Sequence, residues 1–177
     1  DLSFVDAHWT GSQVVIAGGV SFSNEQVTNL RGQTLVAALD PSGGEWLVGG
    51  EGGPSSQAMD SAWVDGRLLV VTYNVPEGPG RWWSPDGNVW SDFTEYPITR
   101  GCEDYPAVVA TPTGAIVELC AVAARFDSAT DTWSLLTSPD AASDGSGFEA
   151  LAAFSTVFTG TEVISVFSDG STVIYTP

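Results

Sequence analysis

Few side chains in this sequence can do chemistry, and their spacing narrows what that chemistry would be. The cationic set is one histidine, His8, and five arginines, Arg31, Arg67, Arg81, Arg100 and Arg125, with no lysine. A guanidinium matches the two oxygens of a carboxylate, so three converging arginines would clamp an acidic substrate. Arg67 follows the tight Asp65-Gly66 corner and Arg125 stands beside a later turn. Only Arg31 and Arg100 fall in long connecting segments, with Arg81 at a strand entrance. A serine nucleophile can be matched with His8 on paper, but the Gly-x-Ser-x-Gly elbow is absent. His8 beside Trp9 reads as a packed or capping side chain. Glu103-Asp104 is the kind of acid pair that glycoside hydrolysis uses at about 5 to 10 Å separation, yet in a chain with 22 acidic residues such pairs arise by chance. No catalytic residue is assigned.

Two cysteines and one histidine are too few for a zinc site. The oxygen-rich stretches Glu95 to Asp104 and Asp140 to Gly145 suit Ca2+ better than a transition metal, though neither has EF-hand spacing. No metal site and no cofactor are assigned. Aromatic residues offer the one ligand site the sequence names. Trp82 and Trp83 are adjacent in a strand, so alternation sends them to opposite faces. If both pack between sheets they are core. If one is exposed near Tyr73, Tyr96, Arg100 or Arg31, it becomes a flat platform for sugar rings or for a partner's apolar anchor.

The formal charge of −17 would repel nucleic acid and anionic membrane surfaces, whose binding depends on Lys and Arg neutralising phosphates. With 43% hydrophobic and 11% aromatic residues in 177, the chain can bury a core and reads as one domain. It lacks a basic leader, an apolar h-region and a bilayer-length run, and it begins at Asp1, so it reads as a processed or excised soluble piece. If Tyr105 to Thr111 pairs with Ala115 to Leu119 about Pro112-Thr113-Gly114, Cys120 falls opposite the residues before Tyr105. That brings Cys102 within disulfide reach and suits an extracellular, periplasmic or cell-surface location; two buried thiols are the alternative.

These groups must be positioned by a repeat. Trp133 lies 43 residues after Trp90, and Trp46 lies 44 before it. Between them recur Trp9-Thr10-Gly11, Val64-Asp65-Gly66, Thr111-Pro112-Thr113-Gly114 and Phe158-Thr159-Gly160, each followed by a run of β-formers. Four tight hairpins of one design are expected. A period of 40 to 50 residues with four short strands is the mark of propeller blades. The fold class is therefore all-β, a β-propeller of about four blades of four antiparallel strands, spanning roughly 6–53, 57–104, 105–148 and 150–177. The last blade is one strand short. Residues 1–5 are expected to close it as the missing outer strand, or a partner chain completes it. Short turns lie at one end of the strands; the long segments lie at the other, where variable chemistry belongs.

Ser84-Pro85-Asp86-Gly87-Asn88-Val89-Trp90 resembles the Asp-box of sialidase-type (BNR) propellers. Phe126-Asp127-Ser128-Ala129-Thr130-Asp131-Thr132-Trp133, with Ile16-Ala17-Gly18-Gly19, resembles a kelch-type blade. The resemblance implies structural roles: the Asp accepts turn amides, the Gly takes the left-handed position and the Trp packs between blades. These carry to Asp86, Gly87 and Trp90, and to Asp127 and Trp133, whereas Trp46 follows Pro41-Ser42-Gly43-Gly44 without a clean box. A sialidase would further need three arginines, a Tyr nucleophile with an acidic partner and an acid/base Asp. A copper oxidase of the kelch kind would need more imidazole and phenol ligands than this chain has. The expected function is thus a non-catalytic secreted or cell-surface scaffold engaging a protein or glycan through its long-loop face. A sialidase-like or other glycoside hydrolase, whole or part, is one alternative; an accessory subunit of a larger extracytoplasmic assembly is another.

Overall fold

The computed structural model describes residues 2–20, 33–49, 53, 58–72, 80–86, 88–91, 106–119, 122–136, 153–167, 170 and 172–176. The described residues are all-β, without a helix. Four antiparallel sheets form from consecutive strands. The first holds β1 (Leu2–Trp9), β2 (Val14–Val20), β3 (Gln33–Leu39) and β4 (Trp46–Val48). The second holds β5 (Ala58–Val64), β6 (Arg67–Thr72), β7 (Gly80–Ser84) and β8 (Val89–Trp90). The third holds β9 (Ala107–Thr111), β10 (Gly114–Leu119), β11 (Val122–Asp127) and β12 (Thr132–Leu136). The fourth has three described strands, β13 (Ala153–Phe158), β14 (Val163–Phe167) and β15 (Thr172–Tyr175).

One expectation is corrected at the amino terminus. Leu2 pairs with Val20 and Ser3 with Gly19, so residues 2–5 extend the first strand of the first sheet and do not supply an outer strand to the last. The reason is a bulge between Ser3 and Asp6. It lets the strand absorb an extra residue and keep pairing along the whole length of β2. The same irregularity recurs between Ala58 and Asp60 in β5 and between Ala153 and Ser155 in β13. It is a feature of the repeat.

The turns explain the hairpins. Thr10 N donates to Gln13 O and Thr159 N to Glu162 O, while Thr10 and Thr159 Oγ1 accept from the Gln13 and Glu162 amides. Gly11 and Gly160 both sit at φ 103°. Asp65 and Gly66 form the two-residue corner with φ 51° and 79°, the pattern that matches strand twist. The chain forms two compact units, residues 1–94 and 95–177. In the first, Val15, Ala17, Val36 and Ala38 of the first sheet pack on Leu68, Val70 and Trp83 of the second, with Trp63 and Trp90 at the margin. In the second, Ile116 and Ala123 of the third sheet pack on Val163 and Tyr175 of the fourth, flanked by Phe158 and Val173.

Gly114 closes the third hairpin at φ 151°, and a Cβ there would collide with the Phe126 carbonyl. Gly114→Ala should therefore cost roughly 1–3 kcal/mol, seen as a lower urea midpoint. An unchanged midpoint would show that the corner relaxes freely.

Candidate functional site

The positive-φ residue stands two places before each repeated tryptophan: Gly44 (70°) before Trp46, Asn88 (53°) before Trp90 and Asp131 (54°) before Trp133. Asn88 thus takes a left-handed conformation in the second sheet's turn; Gly87, to which the resemblance gave that conformation, lies outside the described residues. Asn is the side chain that best tolerates this conformation apart from Gly. Asn88 also accepts a bond from Trp83 Nε1 at 3.0 Å and donates to Val48 O at 2.8 Å, which ties two sheets together. Asp127 accepts the Ala129 and Thr130 amides, as the resemblance implied. Asp40 does the same for Ser42 N, and the bond from the Ser42 hydroxyl, followed by that from the Ser42 amide, holds its carboxyl below the ordinary value. The turn before Trp46 is therefore the same device without the sequence box. Asp86 is exposed at its own turn.

Trp90 packs on the first core, and Trp133 lies 5.1 Å from Phe126, tilted by 50°. Trp46, in contrast, is 48% exposed. Trp82 and Trp83 are 2% and 0% exposed, so neither forms a surface platform. Trp83 is in the core, and the Arg67 guanidinium lies 4.7 Å over the Trp82 ring. Arg125 Nη2 donates to Thr113 Oγ1 at the adjoining short turn. Arg31, Tyr73, Tyr96, Arg100, Cys102 and Cys120 lie outside the described residues, as do the stretches proposed for Ca2+. Among the described residues no group of three His, Cys, Asp or Glu could hold a metal ion.

Two polar clusters went unread in the sequence. In the first unit, buried Ser61 Oγ donates to Asp6 Oδ2 at 3.0 Å and lies 2.8 Å from His8 Nε2. A hydroxyl has one proton to give, so with that proton on Asp6 the imidazole donates from Nε2. This reverses the relation in a serine nucleophile, whose proton goes to the imidazole. Burial holds His8 below the ordinary histidine value, with Asp6 opposing, so the ring is neutral at neutral pH. Asp6 and Ser61 reach each other across β1 and β5, 55 residues apart, just after the two bulges.

In the second unit, buried Glu118 accepts from Ser165 Oγ at 2.7 Å, from Thr156 Oγ1 at 3.4 Å and from the Tyr175 phenol. Thr156 and Ser165 hydroxyls are 3.1 Å apart. Burial raises Glu118 above the ordinary carboxyl value despite these donors, and burial beside that carboxylate also raises Tyr175. A phenol paired with a carboxylate is one element of a tyrosine nucleophile. Here the phenol holds its proton more tightly than in water, and its residue is 7% exposed. Its chemistry is that of a donor. The signal that would have found this cluster is the lone acid in Ile116-Val117-Glu118-Leu119, a strand otherwise apolar on both faces.

No family model and no curated protein matches the chain. Among solved structures it is similar to the computationally designed Ika4 protein, known from its crystal structure, with a TM-score of 0.56 and 12% identity over 92% of this chain and 84% of that one. At such identity the likeness concerns the fold alone.

Because the folded chain holds the Glu118 proton more tightly than the unfolded one, its contribution is complete below the ordinary carboxyl range and is lost as pH rises through the raised value. Urea titrations from about pH 4 to about pH 8 should show wild type losing stability relative to Glu118→Gln, by about 1.4 kcal/mol for each unit of upward shift. A difference that stays flat across the range would mean Glu118 titrates like a surface carboxyl.

Proposed function

We propose that the chain is a β-propeller scaffold that binds a protein or glycan partner through the strand ends joined by its long segments, and that it catalyses nothing. The observation that supports this most is that the described groups with chemical potential are used between sheets: Ser61 joins Asp6 and His8, and Glu118 gathers three hydroxyls. Arg67 and Arg125 are likewise engaged at aromatic and turn positions away from any acid-binding cluster. First-to-second and third-to-fourth strands are joined by short turns, whereas the second-to-third connections are the longer 21–32 and 73–79 in the first two sheets and only 120–121 and 168–171 in the third and fourth. Segments 21–32 and 73–79, with the sheet-to-sheet connections, therefore belong to the opposite strand ends. Such ends carry the variable, partner-selecting chemistry of a rigid scaffold. A net charge of −17 favours a neutral or basic partner and a soluble extracellular, periplasmic or cell-surface setting, where a Cys102–Cys120 bond would persist.

A glycoside hydrolase of the sialidase kind is the second reading, favoured by the Glu118–Tyr175 pair. Burial of that pair and the upward shift of its phenol weigh against it.

An oligosaccharide array and a panel of methylumbelliferyl glycosides, sialoside included, separate the two readings. The expected outcome is array binding that disappears when 21–32 is replaced by a Gly-Ser linker, with background fluorophore release throughout. Release that Tyr175→Phe abolishes would establish the hydrolase instead.

A further inference from the structure

Cross-strand register sets one column of residues in common through the four sheets. From first strand to fourth it runs Trp9, Val14, Leu39 and Trp46 in the first sheet, and Trp63, Leu68, Trp83 and Trp90 in the second. In the third it runs Ala110, Ala115, Phe126 and Trp133. In the fourth it runs Phe158, Val163 and Tyr175, with no further member among the described residues. Tyr175 therefore holds the place of Leu39, Trp83 and Phe126, each of which has a tryptophan directly opposite on an outer strand. β15 is accordingly a third strand. Among the described residues no strand pairs with its outer side, and Leu2 and Ser3 at the amino terminus are paired with β2.

An edge strand holds out unpaired N–H and C=O groups and templates a further strand unless charge, proline or a bulge prevents it. β15, Thr172-Val173-Ile174-Tyr175, carries neither charge nor proline, and the bulge of this sheet lies in β13, at the opposite edge. Ile174 is 53% exposed. Tyr175 belongs to the core that Ile116 and Ala123 form with Val163, with Leu136 beside them. A side chain set opposite Tyr175 would stand at the margin of that core, the place that Trp90 takes beside Trp83 in the other unit.

We infer that the outer edge of β15 is a binding site for an extended segment of another polypeptide, added antiparallel as a fourth strand, with a tryptophan opposite Tyr175 followed by uncharged β-formers. The chain's own outer strands define that chemistry. Trp46-Leu47-Val48, Val89-Trp90 and Thr132-Trp133-Ser134-Leu135-Leu136 carry no charge. In each, the indole stands opposite a large apolar side chain, and the Trp133 and Phe126 ring centroids are 5.1 Å apart. Main-chain bonds supply the affinity of an added strand and the side-chain pockets its selectivity. A second copy of β15 does not meet the requirement, because antiparallel pairing along the whole strand would set Thr172 opposite Tyr175. The inference rests on register within the sheets and stands whether or not the strand ends at the long segments bind a partner.

The probe is a blocked synthetic peptide of residues 130–137, which carries Trp133 in its own strand context. Calorimetry against the intact chain should give one site. Hydrogen exchange should show the outward amides of β15, fast in the chain alone, slowed by the peptide. Trp133→Ala in the peptide should weaken binding roughly tenfold or more. N-methylation of alternate peptide amides, in the two possible phases, should abolish binding in one phase; both changes leave the folded chain untouched. Outward β15 amides already protected in the dilute chain, as an edge covered by its own residues or by a second copy would give, overturn the inference. So do an absence of binding at about 1 mM peptide, binding that survives N-methylation in both phases, and protection confined to strands other than β15.

Discussion

A sheet whose two faces are both apolar has to be covered on both, and that requirement organises this protein. In the second sheet, Leu68, Val70 and Trp83 alternate with Leu69, Val71 and Trp82, and all six are buried. Removing one large apolar side chain from water contributes about 1.5–3 kcal/mol, so each such strand holds its neighbours firmly. An isolated sheet of this kind would present its second face to water. Stacking sheet upon sheet is the solution, and a repeat in the chain is its sequence-level expression.

Stacking in turn demands that each sheet keep its register, because a slip of one residue exchanges the two faces. The turns enforce it. A left-handed residue two places before the outer tryptophan recurs as Gly44, Asn88 and Asp131, three different residues meeting one backbone requirement. Asn88 adds a bond to Val48 of the neighbouring sheet, so one side chain serves both the turn and the stack. The bulges in β1, β5 and β13 perform the complementary task at the other end of the first strands. They re-aim the residues that follow, and there the polar clusters form.

Those clusters show how ionisable groups serve a stacked sheet. A buried carboxylate without partners would be severely destabilising, and Glu118 is tolerated because Ser165, Thr156 and Tyr175 supply donors from the facing sheet. The cost of leaving such a group unpaired makes each cluster a constraint on how the two sheets align. Asp6, Ser61 and His8 act in the same way in the other unit. The residue types are those of hydrolases, but the proton directions and the burial are those of interface polar networks.

Periodic tryptophans, glycine corners and runs of β-formers were enough to specify four sheets of antiparallel strands, because those signals are local: a turn needs particular φ values, and a strand needs alternating or continuous apolar residues. The sequence likewise shows Asp127 in its turn-capping part, since the amides it accepts lie two and three residues away. The tertiary structure alone decided what depends on which faces meet. It buried Trp82 and Trp83, left Trp46 exposed despite its matching turn, and joined Leu2–Trp9 into one strand through a bulge that no residue type announces. It also brought Ser61 to Asp6 and Tyr175 to Glu118 across more than fifty positions. Contacts between sheets depend on which of two apolar faces finds a neighbour, and local residue pattern is nearly the same for both.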